Sequence, residues 1–256
     1  MAPVGGDPAR SKSRLALGIL LVWLAASVVT ASPAWAEPLE MGDESNLVTH
    51  LQLQLRDFGF YRGPADGSYG PRTAQAVMAF HKYTGLERTV VWGDADWRFL
   101  MAFDPLPMSS DVGVRVDLDR QVLYYSGRDG SVAIVPVSSG SGERYVNASG
   151  RVVSAVTPSG EFSFYKHYDG ARVSYLGTLW RPWYFYGGYA IHGSSSVPGF
   201  PASHGCIRVP NWEADWFASQ FWIGMPVTVF RGGPAVQPEI GPTPVMDRAA
   251  IMARVD

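Results

Sequence analysis

The stretch VGVRVDLDRQVLYYS, residues 112–126, marks a change of period in the chain. Val112, Val114, Val116 and Leu118 recur at every second position, the spacing of a half-buried strand, and Asp119-Arg120 offers a turn into a second apolar run. Downstream, GSVAIVPVSSG (130–140), GEFSFYKHY (160–168), WYFYGGYAIHG (183–193) and MPVTVFR (225–231) read as further short strands. Gly, Asn, Asp and Pro turns separate them, with Asp129-Gly130 and Asp169-Gly170 as hairpin turns. Residues 112–231 are therefore expected to form a mostly β, sandwich-like domain. NWEADWFASQFW (211–222) is the exception: Asn211 can cap a short helix that gathers Trp212, Trp216, Phe217 and Phe221. The aromatic run 180–189 reads as core and sheet face in preference to a sugar platform.

Upstream of residue 112 the period is helical. In LVTHLQLQLRDFGFY (47–61), Leu47, Leu51, Leu55 and Phe58 fall on one helix face and Gly59 offers a stop. Pro71 opens a second helix carrying Ala74, Val77, Met78 and Phe80, and DADWRFLMAF (94–103) supplies a third, with Asp94 or Asp96 near its cap. Residues 37–104 are expected to be a small all-α three-helix domain, 105–111 a Pro/Ser-rich linker, and 232–256 a Pro/Gly-rich tail.

The first 36 residues place Arg10, Lys12 and Arg14 before an apolar run and end in Ala34-Trp35-Ala36. That is the pattern of a signal peptide cleaved after Ala36, the alternative being an N-terminal membrane anchor, and the mature chain is expected in the periplasm, cell wall or extracellular space. With 21 Lys and Arg against 23 Asp and Glu there is no basic stripe, which argues against a nucleic-acid partner. A single cysteine, Cys206, excludes an internal disulfide.

Cys206 lies in AIHGSSSVPGFPASHGCIRVP (190–210), two residues after His204 and fourteen after His192. A thiol needs a base or a positive charge beside it to act as a nucleophile. If SHGCIR is extended, His204, Cys206 and Arg208 share a face, and Gly205 leaves the backbone open to a substrate. The N–H groups of Gly205 and Cys206 could then meet a developing oxyanion, and Arg208 could hold a carboxylate. An inert core thiol, or a metal site drawn from His192, His204, Cys206 and His167, uses the same residues without a recognised ligand spacing. His204 can be a structural or a catalytic histidine.

IHGSSSVPGFPASHGCIRV resembles the active-site signature of the L,D-transpeptidases, the YkuD-type catalytic domain of bacterial cell walls. VSSG (137–140), TPSGEF (157–162) and YFYGGYAIHG (184–193) resemble that family too. The resemblance implies Cys206 as nucleophile, His192 as general base, and the Gly193 carbonyl as the group that orients the base. Gly205 would serve the oxyanion through its N–H, and Ser203, His204 and Arg208 would line the substrate site. Ten residues lie between His192 and Ser203, fewer than in some branches of the family. The substrate implied is a peptidoglycan stem peptide: a donor tetrapeptide loses D-Ala to form a Cys206 thioester, and an acceptor amine then completes a 3-3 cross-link. No cofactor and no metal is implied, and a penem-type β-lactam is an expected covalent inhibitor. The same site run with water would be an L,D-carboxypeptidase, and a catalytically idle wall-binding protein is the third possibility.

Leu51-Gln52, Leu55, Gly59-Phe60-Tyr61, Gly63, Asp66-Gly67, Gly70, Thr73, Ala76 and Phe80 resemble a small peptidoglycan-binding domain, with His81 standing where that family commonly has glutamine. The resemblance implies contact with the wall polymer through residues 46–100, the alternative being a docking or spacer role.

Overall fold

The computed structural model describes residues 37–102 and 111–232. The expected signal peptide, most of the expected linker and nearly all of the expected tail lie outside the described residues. Among the described residues no helix is long and apolar enough to cross a membrane.

Three helices open the described chain: α1 (Asn46–Asp57), α2 (Pro71–Thr84) and α3 (Asp94–Met101). Ser45 caps α1 by accepting the Val48 N–H at 3.2 Å, and Gly59, at φ 81, takes the left-handed conformation that lets the chain turn away. Pro71 is the first residue of α2, where its missing N–H costs nothing. Asp96 rather than Asp94 caps α3, its carboxylate accepting the Gly93 N–H at 2.7 Å. Leu47, Leu51 and Leu55 then meet Val77, Phe80, Trp92 and Trp97 in a single core.

Several residues that carry the wall-binding resemblance brace this interior. Gln52 is fully buried and its amide nitrogen donates to Asp66 Oδ1, Ser68 O and Thr73 Oγ1, each at 3.0 Å, while its oxygen accepts the Gly67 N–H. Every polar atom of that amide is thereby satisfied, as burial requires. His81, 1% exposed, is enclosed too. Its Nδ1 lies 2.9 Å from Thr89 O, its Nε2 lies 3.1 Å from Asp96 Oδ1, and its ring stacks on Trp92.

Beyond residue 111 the chain is mostly β. One sheet runs in the order β3 (Val132–Pro136), β2 (Val122–Ser126), β1 (Gly113–Asp117), β12 (Pro226–Phe230), β6 (Gly160–Ser163). The second runs β11 (Ile207–Pro210), β10 (Tyr189–Ser194), β9 (Gly177–Tyr186), β7 (Lys166–His167), with β8 (Ala171–Ser174) also paired to β9. A separate hairpin joins β4 (Arg144–Val146) to β5 (Val152–Ser154). The helix α4 (Asn211–Gln220) leaves β11 directly, so Pro210, still extended, is the cap and Asn211 the first helical residue, one position later than its expected capping role.

Alternation explains how the two parts join. Leu123, Tyr125, Ala133 and Val135 point into the core between the sheets, together with Ile191, Ile207, Phe217 and Val227. Val122, Tyr124 and Ile134 point the other way and belong to the core of the three helices. The β2–β3 edge of the first sheet is thus covered on both faces, the helices standing in place of solvent there, while Arg115 on β1 and Glu161 on β6 remain exposed. At the margin Arg62 donates through Nε and Nη2 to Glu213 Oε2 at 2.9 and 2.7 Å, with its guanidinium 5.0 Å from the Trp216 ring. Glu213 is 6% exposed. Glu213→Ala is expected to lower the unfolding free energy by about 2 kcal/mol in urea titrations, since it leaves a largely buried guanidinium short of its acceptor.

Candidate active site

The site forms where β10 and β11 run parallel, with His192 opposite Arg208 and Ile191 opposite Ile207. Ile191, Ile207 and Val209 fill the inter-sheet core, so their neighbours in sequence, His192, Cys206 and Arg208, are presented on the opposite side. All three line one cleft of about 520 Å³ with Ser203, His204 and Tyr189. The β4–β5 hairpin, through Tyr145 and Asn147, and the β8–β9 turn, through Tyr175 and Leu176, form its other walls.

His192 is 7% exposed and its Nδ1 lies 2.8 Å from its neighbour's carbonyl, Gly193 O. A carbonyl only accepts, so Nδ1 carries the hydrogen and Nε2 is left as the basic nitrogen. Burial lowers the His192 pKa to about 4, the Arg208 charge adding to the effect and the Gly193 bond opposing it. Cys206 is half-buried beside Ala190, Leu179 and Tyr184. Burial pushes its thiol up, against a backbone hydrogen bond from Ala190 and the charge of Arg208. At neutral pH the pair is an uncharged thiol and an uncharged imidazole.

Gly193 has no room for a side chain: a Cβ there would stand 2.8 Å from both Asn211 Oδ1 and Trp180 Cδ1. Gly205 combines φ +126 with a Cβ position 2.6 Å from Tyr189 Cε1, so the bend that lifts Cys206 into the cleft requires glycine. Residues 204–206 form this bend, not the expected extended run, and β11 starts only at Ile207. His204 is consequently exposed at the cleft rim, edge-on to Tyr145 with ring centroids 4.7 Å apart. The Gly205 N–H donates to Ser203 Oγ at 2.9 Å, which removes it as a free oxyanion donor. Ser203, 3% exposed, also donates to Cys206 O, so it serves as the brace of the bend.

Thr157 belongs to the site although its role is not visible in sequence. Its hydroxyl donates to Gly205 O at 2.7 Å and accepts the Gly140 N–H at 2.9 Å, pinning the peptide before the thiol to the 137–140 segment. That segment also pairs with both flanks of Cys206, through Ser139 O with the Ser203 N–H at 2.9 Å and through Ser138 with Arg208 in both directions at 3.0 Å. Thr157→Val keeps the shape and deletes both bonds. It is expected to cost about 2 kcal/mol of stability and roughly a tenfold loss in the rate of Cys206 acylation, read by intact mass at fixed times. The remaining metal-ligand candidate, His167, stacks on Trp183 at 4.0 Å on β7 and does not line the cleft. Among the described residues no group of three or more His, Cys, Asp or Glu is placed to hold a metal ion.

The L,D-transpeptidase catalytic domain family (YkuD) matches residues 111–229, and a peptidoglycan binding domain family matches residues 44–100. Among solved structures, an L,D-transpeptidase from Xylanimonas cellulosilytica is 43% identical, covers 77% of this chain and 100% of its own, and superposes with a TM-score of 0.71. An L,D-transpeptidase from Stackebrandtia nassauensis is 20% identical, covering 78% of this chain and 100% of its own with a TM-score of 0.43. No curated protein matches the chain. The chain belongs to the L,D-transpeptidase family, a YkuD-type catalytic domain preceded by a peptidoglycan-binding domain.

Proposed function

We propose that the protein is an exported peptidoglycan L,D-transpeptidase that forms 3-3 cross-links through a Cys206 thioester. The observation that carries this is that the lone thiol and His192, whose tautomer is set by Gly193 O, line one cleft. In the first half-reaction the Cys206 S–H proton passes to His192 Nε2 as sulfur attacks the carbonyl between the third stem residue and D-Ala. The C–N bond breaks, His192 returns the proton to the departing D-Ala amine, and the thioester remains. An amine of a second stem then attacks the thioester carbonyl, gives its proton to His192 and forms the new peptide bond, after which the proton returns to sulfur. One amide replaces another, so no nucleotide is consumed.

The roles of the other groups follow from their surroundings. Arg208 is the charged side chain of the cleft and suits a stem carboxylate, for which a guanidinium fork is well matched. His204, exposed opposite Tyr145, suits contact with the bound peptide and not proton transfer at the thiol. Tyr145, Tyr175 and Tyr189 wall the cleft in which the thioester would form, and the same site run with water would be an L,D-carboxypeptidase. The test is intact-mass analysis of residues 37–256 with a disaccharide tetrapeptide and separation of the released products. A Cys206 adduct with D-Ala and a cross-linked dimer is the expected result, and free tripeptide without dimer would replace the transpeptidase by the carboxypeptidase.

A further inference from the structure

The loop between His192 and Cys206 does not stand free over the cleft. Three side chains of the helical domain hold three successive carbonyls of it. Gln75 Nε2 reaches Val197 O at 3.5 Å, Lys82 Nζ donates to Pro198 O at 3.0 Å, and Arg88 Nη1 donates to Gly199 O at 2.9 Å. Gly199 is packed so closely that a Cβ would lie 3.2 Å from Arg88 Cβ. The next residues of the loop return under the thiol, where the Ala202 and Ser203 N–H groups bond Ser139 O.

Lys82 is the centre of this clamp. It is 1% exposed, and its second donated bond, to Val137 O at 2.7 Å, reaches the residue that precedes Ser138 and Ser139. One amine therefore ties the loop leaving the His192 strand to the segment paired with both flanks of Cys206. Burial, with Arg88 nearby, lowers its pKa to about 7. Among the described residues no carboxylate is paired with it. A buried amine held only by carbonyls is costly compared with an apolar side chain of the same length, so stability alone does not account for a lysine here.

We propose that Lys82, a residue of the peptidoglycan-binding domain, is a positioning residue of the thiol site, holding Val137 and Pro198 so that Cys206 and His192 keep their register. This rests on the proposed role of Cys206. Lys82 and the end of α2 that carries it are then part of the apparatus that positions the thiol.

The experiment compares unaltered protein, Lys82→Met, Lys82→Gln, Arg88→Leu and Leu51→Ala in single-turnover acylation by a penem β-lactam, read by intact mass over a concentration series, with Tm measured for each. Lys82→Met is expected to reduce the saturating acylation rate at least tenfold with less than a twofold change in half-saturating concentration. Lys82→Gln, which keeps an N–H donor, should recover part of that rate, and Arg88→Leu, exposed and expected to fold, should lose two- to fivefold. Leu51→Ala lowers Tm through the helical core and should acylate within twofold of the unaltered protein. Equal acylation by folded Lys82→Met and unaltered protein would overturn the inference, as would rate losses that track Tm alike in the Lys82 and Leu51 variants. If Lys82→Met does not fold, an undiminished rate in Arg88→Leu overturns it. Absence of acylation in the unaltered protein would instead remove the thiol assignment itself, and this inference with it.

Discussion

Replacing Cys206 by alanine is expected to abolish the covalent adduct with a disaccharide tetrapeptide and to stop D-Ala release, while far-ultraviolet circular dichroism and Tm stay close to those of the unaltered protein. The thiol is half-buried against Leu179, Tyr184 and Ala190, so removing one sulfur opens only a small void. The chemical effect is far larger, because no other cysteine exists in the chain to accept the acyl group. Cys206→Ser is the sharper version. A hydroxyl is much harder to deprotonate than a thiol, and the imidazole available to it is a weak base with pKa about 4, so we expect a loss of at least about 10⁴-fold. An adduct of unchanged mass and rate in Cys206→Ser would place the nucleophile elsewhere.

Replacement of His192 should be nearly as severe, and it carries a signature in pH. His192→Ala is expected to reduce Cys206 acylation by about 10² to 10⁴-fold, the usual worth of a positioned base. In the unaltered protein burial holds His192 neutral down to about pH 4 and keeps Cys206 protonated at neutral pH. The acylation rate should therefore run level from about pH 5 to 8 and fall as His192 takes up a proton near pH 4, not near the ordinary histidine value of about 6.5. Alkylation by iodoacetamide, which needs the thiolate, should climb past the ordinary thiol value of about 8.5 without a low-pH plateau. A thiolate plateau at pH 5 to 6 would mean a preformed thiolate–imidazolium pair and would contradict the neutral resting state.

Stability is linked to the same histidine. Below about pH 6.5 the unfolded chain binds a proton at this residue and the folded chain does not until about pH 4. Stability is therefore lost as pH falls through that window, by about 3 kcal/mol in all. His192→Gln should remove this component from a pH series of urea midpoints.

The sequence alone determined the two-part architecture, because a period of two and a period of three to four are local consequences of strand and helix geometry. The strands at 113–126 and 132–136, the helices around Leu51 and Phe80, and the short helix holding Trp216 and Phe217 were all legible in this way. The lone cysteine was legible by itself, and the roles of His192 and the Gly193 carbonyl through the resemblance of one short motif to the L,D-transpeptidase signature, the His192 Nδ1–Gly193 O contact being present in the structure. The β4–β5 hairpin and β8 were not, since their strands are three or four residues long and lack an apolar face to set a period.

Tertiary structure decided the rest. Gly205 turned out to offer its N–H to Ser203 and its carbonyl to Thr157, 48 residues away in sequence. Residues of the wall-binding motif proved to be interior braces, and Lys82 found its acceptors 55 and 116 residues away in the catalytic domain. Such partnerships leave no local trace. A buried donor must find an acceptor wherever the folded chain brings one within about 3 Å, and that distance is set by packing between segments that the sequence does not place side by side.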